Sequence, residues 1–167
     1  MILGHLGVAV FTIGVTLTSI YSVEKDVGLG AGDSYELSGY TFTFNAIREI
    51  EGPNYSGTRG IVTASDGNYS VMLYPEKRTY FSSSMPMTEA GIDAGLTRDL
   101  FVALGEPLGN GKWAVRLYHK PFIRWIWLGC LIMGIGGVLA ATDKRYLRMA
   151  RRKQATAASV STHGATA

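Results

Sequence analysis

Residues Met1 to Ile20 read MILGHLGVAVFTIGVTLTSI, twenty residues with one ionisable side chain, His5. At about 1.5 Å of rise per residue, a helix of this length matches the roughly 30 Å hydrocarbon thickness of a bilayer. A second block, Trp125 to Thr142 (WIWLGCLIMGIGGVLAAT), carries no charge, and Arg124 can snorkel from its leading edge. Both blocks read as transmembrane helices. They divide the chain into a first span over residues 1–21, a polar segment over 22–120, a second span over 121–142 and a tail over 143–167. A cleaved signal peptide is the competing reading of the first block. It lacks a basic n-region before Ile2 and a persuasive small-residue cleavage site after the apolar run, and it leaves His5 unexplained.

Charge orients the two spans. The net charge of +3 hides a polar segment with nine basic against twelve acidic side chains and a tail with six basic side chains against Asp143 alone. Basic residues immediately beyond a span stay in the cytoplasm, so the tail is expected inside, with the second helix running inward and the first outward. Both termini are then cytoplasmic and residues 22–120 extracytoplasmic. Phe122, Trp125 and Trp127 cluster where an aromatic belt would lie on the outer side. The tail's charges are explained by topology and anionic lipid without nucleic acid. Residues after Gln154 are low in complexity and expected to be disordered, and His163 receives no role.

Cys130 is the single thiol and lies within the second span, so the outer segment has no disulfide. Without CxxC the chain is not a thioredoxin-like reductant, and without CxxCH it is not itself a c-type cytochrome.

Residues 22–120 read as short strands and turns. Ser34 to Phe44 (SYELSGYTFTF) alternates, with Tyr40, Phe42 and Phe44 on one face, and Gly60 to Ser65 with Asn68 to Tyr74 flank the hairpin signal Asp66-Gly67. Arg78 to Ser83 and Trp113 to His119 are further strand candidates, and Leu96 to Leu104 reads as strand or short helix. Five to seven strands in about 100 residues predict a small all-β barrel or sandwich, an OB-like barrel among the options. Gly28-Leu29-Gly30-Ala31-Gly32 lacks the strand-and-helix context of a phosphate loop and reads as a flexible exit from the membrane.

No catalytic constellation emerges from the acids Glu49, Glu51, Glu89, Asp93, Asp99 and Glu106, and Ser82-Ser83-Ser84 has no nearby histidine. His5 is the chemical outlier. An ionisable residue among membrane-length apolar residues is costly and calls for a partner, and imidazole can bond another helix, relay protons or ligate a metal or haem iron. An interfacial ring in water is the plainer reading of a residue so near Met1. His119 lies before Pro121 at the opposite end of the spans, and helix rise separates it from His5 by at least about 20 Å, so the two cannot ligate one iron.

Seven segments, in order, resemble the C-terminal part of the CcmF family of cytochrome c maturation proteins. They are HLGVAVFTIGVTLTS from His5, GPNY from Gly52, PEKRTY from Pro75, MTEAGID from Met87, RDLFVALGE from Arg98, WAVRLYHKPFIRWIWLG from Trp113, and DKRYLR from Asp143. The resemblance covers nearly the whole chain but only about the last quarter of such a protein. The family's tryptophan-rich WWD segment and paired external histidines are absent, so the chain is expected to be a fragment or one product of a split gene, not active alone.

The resemblance implies a membrane haem-handling role in the bacterial inner membrane, with residues 22–120 periplasmic. His5 aligns with one axial ligand of a transmembrane haem b, whose second ligand would come from a partner segment. The implied partners are the upstream CcmF segment, the haem chaperone CcmE, and apocytochrome c with its CcmH-type thiol-reducing and presenting subunits. The implied chemistry is thioether formation between haem and reduced CxxCH thiols, with the outer domain docking or shaping. Neither PEKR nor MTEAGID has a chemical role legible in sequence. The rival is a non-enzymatic bitopic assembly protein whose outer β domain binds a partner. A small CcmE-type chaperone fits less well, because that family has one N-terminal anchor.

Overall fold

The structure, a computed structural model, describes residues 2–83 and 85–142. The basic tail with its expected disorder, His163 and Met1 lie outside the described residues. Two apolar 20-residue helices, α1 (Ile2–Tyr21) and α2 (Ile123–Thr142), bracket the β domain. Both are long and apolar enough to cross a membrane, and few of their residues are buried, unlike the core helices of a soluble protein.

Glycine decides how the helices pair. Gly7, Gly14, Gly129 and Gly136 are buried in the antiparallel contact. A Cβ at Gly7 would lie 2.6 Å from Met133 N, one at Gly14 2.8 Å from Ile126 N, and one at Gly136 2.9 Å from Gly4 N. Backbone therefore rests on backbone, the form of packing that stabilises helix pairs where lipid offers no hydrophobic contrast.

Between the helices the described residues form ten strands: β1 (Val23–Gly30), β2 (Ser34–Leu37), β3 (Tyr40–Glu51), β4 (Tyr55–Ser65), β5 (Ser70–Leu73), β6 (Glu76–Tyr80), β7 (Pro86–Glu89), β8 (Gly91–Ala94), β9 (Arg98–Gly109) and β10 (Lys112–Pro121). One sheet runs β1-β10-β9-β8 and the other β2-β3-β4-β6-β7, with β5 also pairing β4. These are two separate sheets, so of the barrel and sandwich alternatives the fold takes the sandwich. Alternation supplies its core: Leu100, Val102, Leu104, Val115 and Leu117 of the first sheet are buried with Phe42, Phe44, Val62, Ala64 and Leu73 of the second. Full burial of each large side chain contributes roughly 1.5–3 kcal/mol.

Local readings shift in three places. Ser34 to Phe44 is a hairpin, because Ser38 (φ 51°) and Gly39 (φ 80°) make the two-residue turn with positive φ at both centres that matches strand twist. Gly28 and Gly30 belong to β1, which pairs with β10 from Val23↔His119 to Gly30↔Lys112, so the expected flexible exit is an edge strand. The stretch from Leu96 that could be strand or helix enters β9 at Arg98. A bulge at Asn45, between Phe44 and Ala46, divides β3 into a core-facing half and a more polar half.

The domain is seated firmly on the helices. Thr18 Oγ1 donates to Pro121 O at 2.8 Å, Phe122 N to Thr97 O at 2.9 Å, and Trp125 Nε1 to Leu96 O at 3.1 Å. Phe122 itself takes φ 57°, a left-handed residue that turns β10 into α2.

Candidate functional site

His5 projects from the end of α1 remote from the β domain and is exposed on the helix surface. It lines an open concavity of about 390 Å³ with Gly4 and Val8 of α1 and Met133, Gly136, Gly137 and Ala140 of α2. The small residues create the space: a Cβ placed on Gly4 or Gly137 would meet no atom within 4 Å. An imidazole beside an apolar hollow that larger side chains would fill fits one axial side of a flat apolar macrocycle. Among the described residues no group of three or more His, Cys, Asp or Glu could hold a metal ion. His119 cannot complete the site, because it sits in β10 beyond Thr18, about 20 Å of helix rise from His5.

His119 belongs to a different cluster at the base of the sandwich. Its ring stacks on Tyr40, 6.1 Å between centroids, and its Nδ1 is buried without a hydrogen-bond partner among the described residues. Burial, reinforced by the Arg98 guanidinium, holds its pKa below the ordinary imidazole value. Arg98 donates from Nε to Tyr40 OH at 2.9 Å, pairs with Asp93 at 2.5 Å and lies over the rings of Tyr40 and Tyr69. The Asp93 end of MTEAGID thus anchors β8 to β9 and to the turn carrying Tyr69, whose hydroxyl donates to Asp93 at 3.2 Å.

PEKRTY has a structural reading that the sequence did not yield. Glu76 is buried, its Oε1 accepting from Arg59 Nε at 2.6 Å and its Oε2 from Arg78 Nε at 2.6 Å. Burial by itself would push this carboxyl up; the bonds from Arg78 and Arg59 outweigh it and leave the pKa below its ordinary value. Lys77 points to the other face and ties β6 to β9 through Gly105 O and the Glu106 carboxylate. Arg78 also lies 4.6 Å from the centroid of Tyr55, the last residue of GPNY. These motifs therefore clamp β4, β6 and β9 together. Glu49, Glu51, Lys77 and Glu106 line an open polar cleft of about 470 Å³ at the same end of the sandwich.

Residues 20–121 match the family model described as the CcmF C-terminal beta-sandwich. The chain belongs to the CcmF family. It is 56% identical over 147 residues to the cytochrome c-type biogenesis protein CcmF of Pseudomonas aeruginosa, covering 87% of this chain and 22% of that protein. Its identity to the CcmF of Escherichia coli is 50% over 149 residues, covering 87% of this chain and 23% of that one. A solved structure named cytochrome c haem lyase CcmF superposes with a TM-score of 0.71 at 17% identity, over 81% of this chain and 23% of that chain, a likeness of fold. The chain thus spans under a quarter of the CcmF relatives it matches.

Proposed function

We propose that this chain is the C-terminal portion of a membrane haem-handling protein for cytochrome c maturation, in which His5 supplies one axial ligand to a transmembrane haem b. The observation that carries the reading is the placement of His5 on the wall of an apolar hollow kept open by Gly4 and Gly137. A second ligand would come from the upstream CcmF segment or from a split-gene partner. Relatives named as cytochrome c-type biogenesis proteins, and a fold neighbour named as a haem lyase, support the assignment to haem attachment.

The chain's own residues do three things in this scheme. His5 would hold the iron through a ring nitrogen; the glycines would admit the macrocycle edge; and the paired glycine faces of α1 and α2 would fix the ring's position relative to the sandwich. When bound, haem b supplies a one-electron centre able to set the oxidation state of an incoming haem iron. The β-sandwich, periplasmic in this reading with both termini cytoplasmic in the bacterial inner membrane, acts as a docking element. Its polar cleft beside Glu49 and Glu106 offers the surface for a haem chaperone of the CcmE type or for apocytochrome c with its CcmH-type presenting subunit.

Pyridine haemochrome analysis of the chain purified with its upstream partner tests the reading. His5→Ala is expected to lose the b-type haem while the two proteins still co-purify. Unchanged haem content would overturn the ligand role.

A further inference from the structure

Where α2 leaves the sandwich, a second concavity opens on the side of α2 away from the helix pair, with a volume of about 670 Å³. Its upper wall is Phe101 on the outer face of the β8–β9–β10 sheet, and its lower wall is Trp127, Leu128 and Leu131 of α2. Arg124 stands at the mouth with its side chain about half exposed. Lys120, near the end of β10, holds its ammonium 5.6 Å from the Phe101 ring and 5.0 Å from that of Tyr118.

The nearby carboxylate does not cancel this positive mouth. Asp99 is buried, accepts from Gly95 N at 3.0 Å and lies 3.5 Å from Arg124 Nε, leaving two cations against one engaged anion. Below the mouth the apolar surface continues: Leu128, Leu131, Ile135 and Val138 recur at helical spacing down one side of α2, and all four are exposed. From Leu128 to Val138 that strip runs about 15 Å, room for the greater part of an extended acyl chain. Cations at the mouth and an apolar strip below it come in the order in which a phospholipid presents phosphate and acyl chain.

We infer that this groove is a binding site for an anionic phospholipid of the leaflet on the β-domain side, with the phosphate at Arg124 and Lys120 and one acyl chain along Leu128 and Leu131. The lipid wedges the sandwich against α2 and fixes the domain's tilt relative to the membrane. The site lies at the opposite end of the helix pair from His5 and does not depend on the haem reading. Trp127, exposed in the groove, is its built-in reporter.

The test uses the full chain in nanodiscs of phosphatidylcholine, doped at equal low mole fraction with brominated phosphatidylglycerol or brominated phosphatidylcholine. The Trp127 contribution is the difference between the wild-type chain and Trp127→Phe. One uncompensated cation near a membrane surface corresponds to roughly a fivefold preference, and quenching by the brominated phosphatidylglycerol is expected to reflect it. The preference should vanish in Arg124→Gln with Lys120→Gln and persist in Arg124→Lys, which keeps the charge and guards against a folding defect. Equal quenching by the two lipids would mean ordinary annular contact and overturn the site. Absence of quenching by either would show the groove covered by protein, a second copy or another helix, and would overturn it equally.

Discussion

Gly129 of α2 lies directly on the backbone of Phe11 of α1: a Cβ added at Gly129 would sit 2.5 Å from Phe11 N and 2.7 Å from Phe11 Cα. No flexible side chain can yield there. Gly129→Ala is therefore expected to force the helices apart at a cost of about 2 kcal/mol. Gly134→Ala, on the same helix with nothing within 4 Å of its Cβ, should be neutral or slightly stabilising. Thermal unfolding of the two variants in detergent checks the contrast. Equal melting temperatures would remove the backbone contact from the account.

The Glu76 carboxylate is predicted to hold the membrane-distal half of the sandwich. Glu76→Gln keeps the shape but loses the charge shared by Arg59 and Arg78, and should cost about 2 kcal/mol in denaturant titration. Because the folded pKa lies below the ordinary 4.5, the ionised group's contribution is complete above that value. It is lost as pH falls through the lower folded pKa, and Glu76→Gln should remove that part of the acid sensitivity.

His119 acts with the opposite chemistry. Its folded pKa is lowered from 6.5, so the unfolded chain takes up a proton first and stability declines as pH drops below about 6.5 toward the folded value. His119→Gln should flatten the unfolding midpoint between pH 7.5 and pH 5. A slope unchanged by the substitution would show that another group carries it.

Ser38 occupies the left-handed region at φ 51° in a turn that favours Asn-Gly. Ser38→Asn is expected to stabilise the domain by about 0.5 kcal/mol, whereas Gly39→Ala at φ 80° should destabilise it by about 1 kcal/mol. Chemical denaturation of both variants, read by near-ultraviolet circular dichroism, decides the signs.

Legibility followed the strength of periodic signals. The two spans were plain because twenty apolar residues have few other solvents, and the Phe42 and Phe44 side of the core was plain because it alternates, whereas Leu100, Val102 and Leu104 lie in a stretch that read as strand or short helix. β7 and β8 were hidden by their four-residue length, and β1 by its glycines, whose pairing is enforced by β10 across more than eighty residues of sequence. The Ser38-Gly39 turn was masked because the alternation on both sides of it reads as one strand. PEKR resisted because its meaning is non-local: Glu76 is intelligible only with Arg59 beside it on the neighbouring strand. His5 was legible as a chemical oddity, while the hollow that gives it a use depends on α2 placing Gly136 and Gly137 alongside.

The most direct test of the central claim is replacement of the proposed ligand with a space. His5→Gly, purified with the upstream partner and haem b, should lose the low-spin absorption spectrum of a six-coordinate haem, and free imidazole should restore it by occupying the vacated position. A low-spin spectrum unchanged by His5→Gly, or a loss that imidazole does not reverse, would contradict the assignment of His5 as the axial ligand.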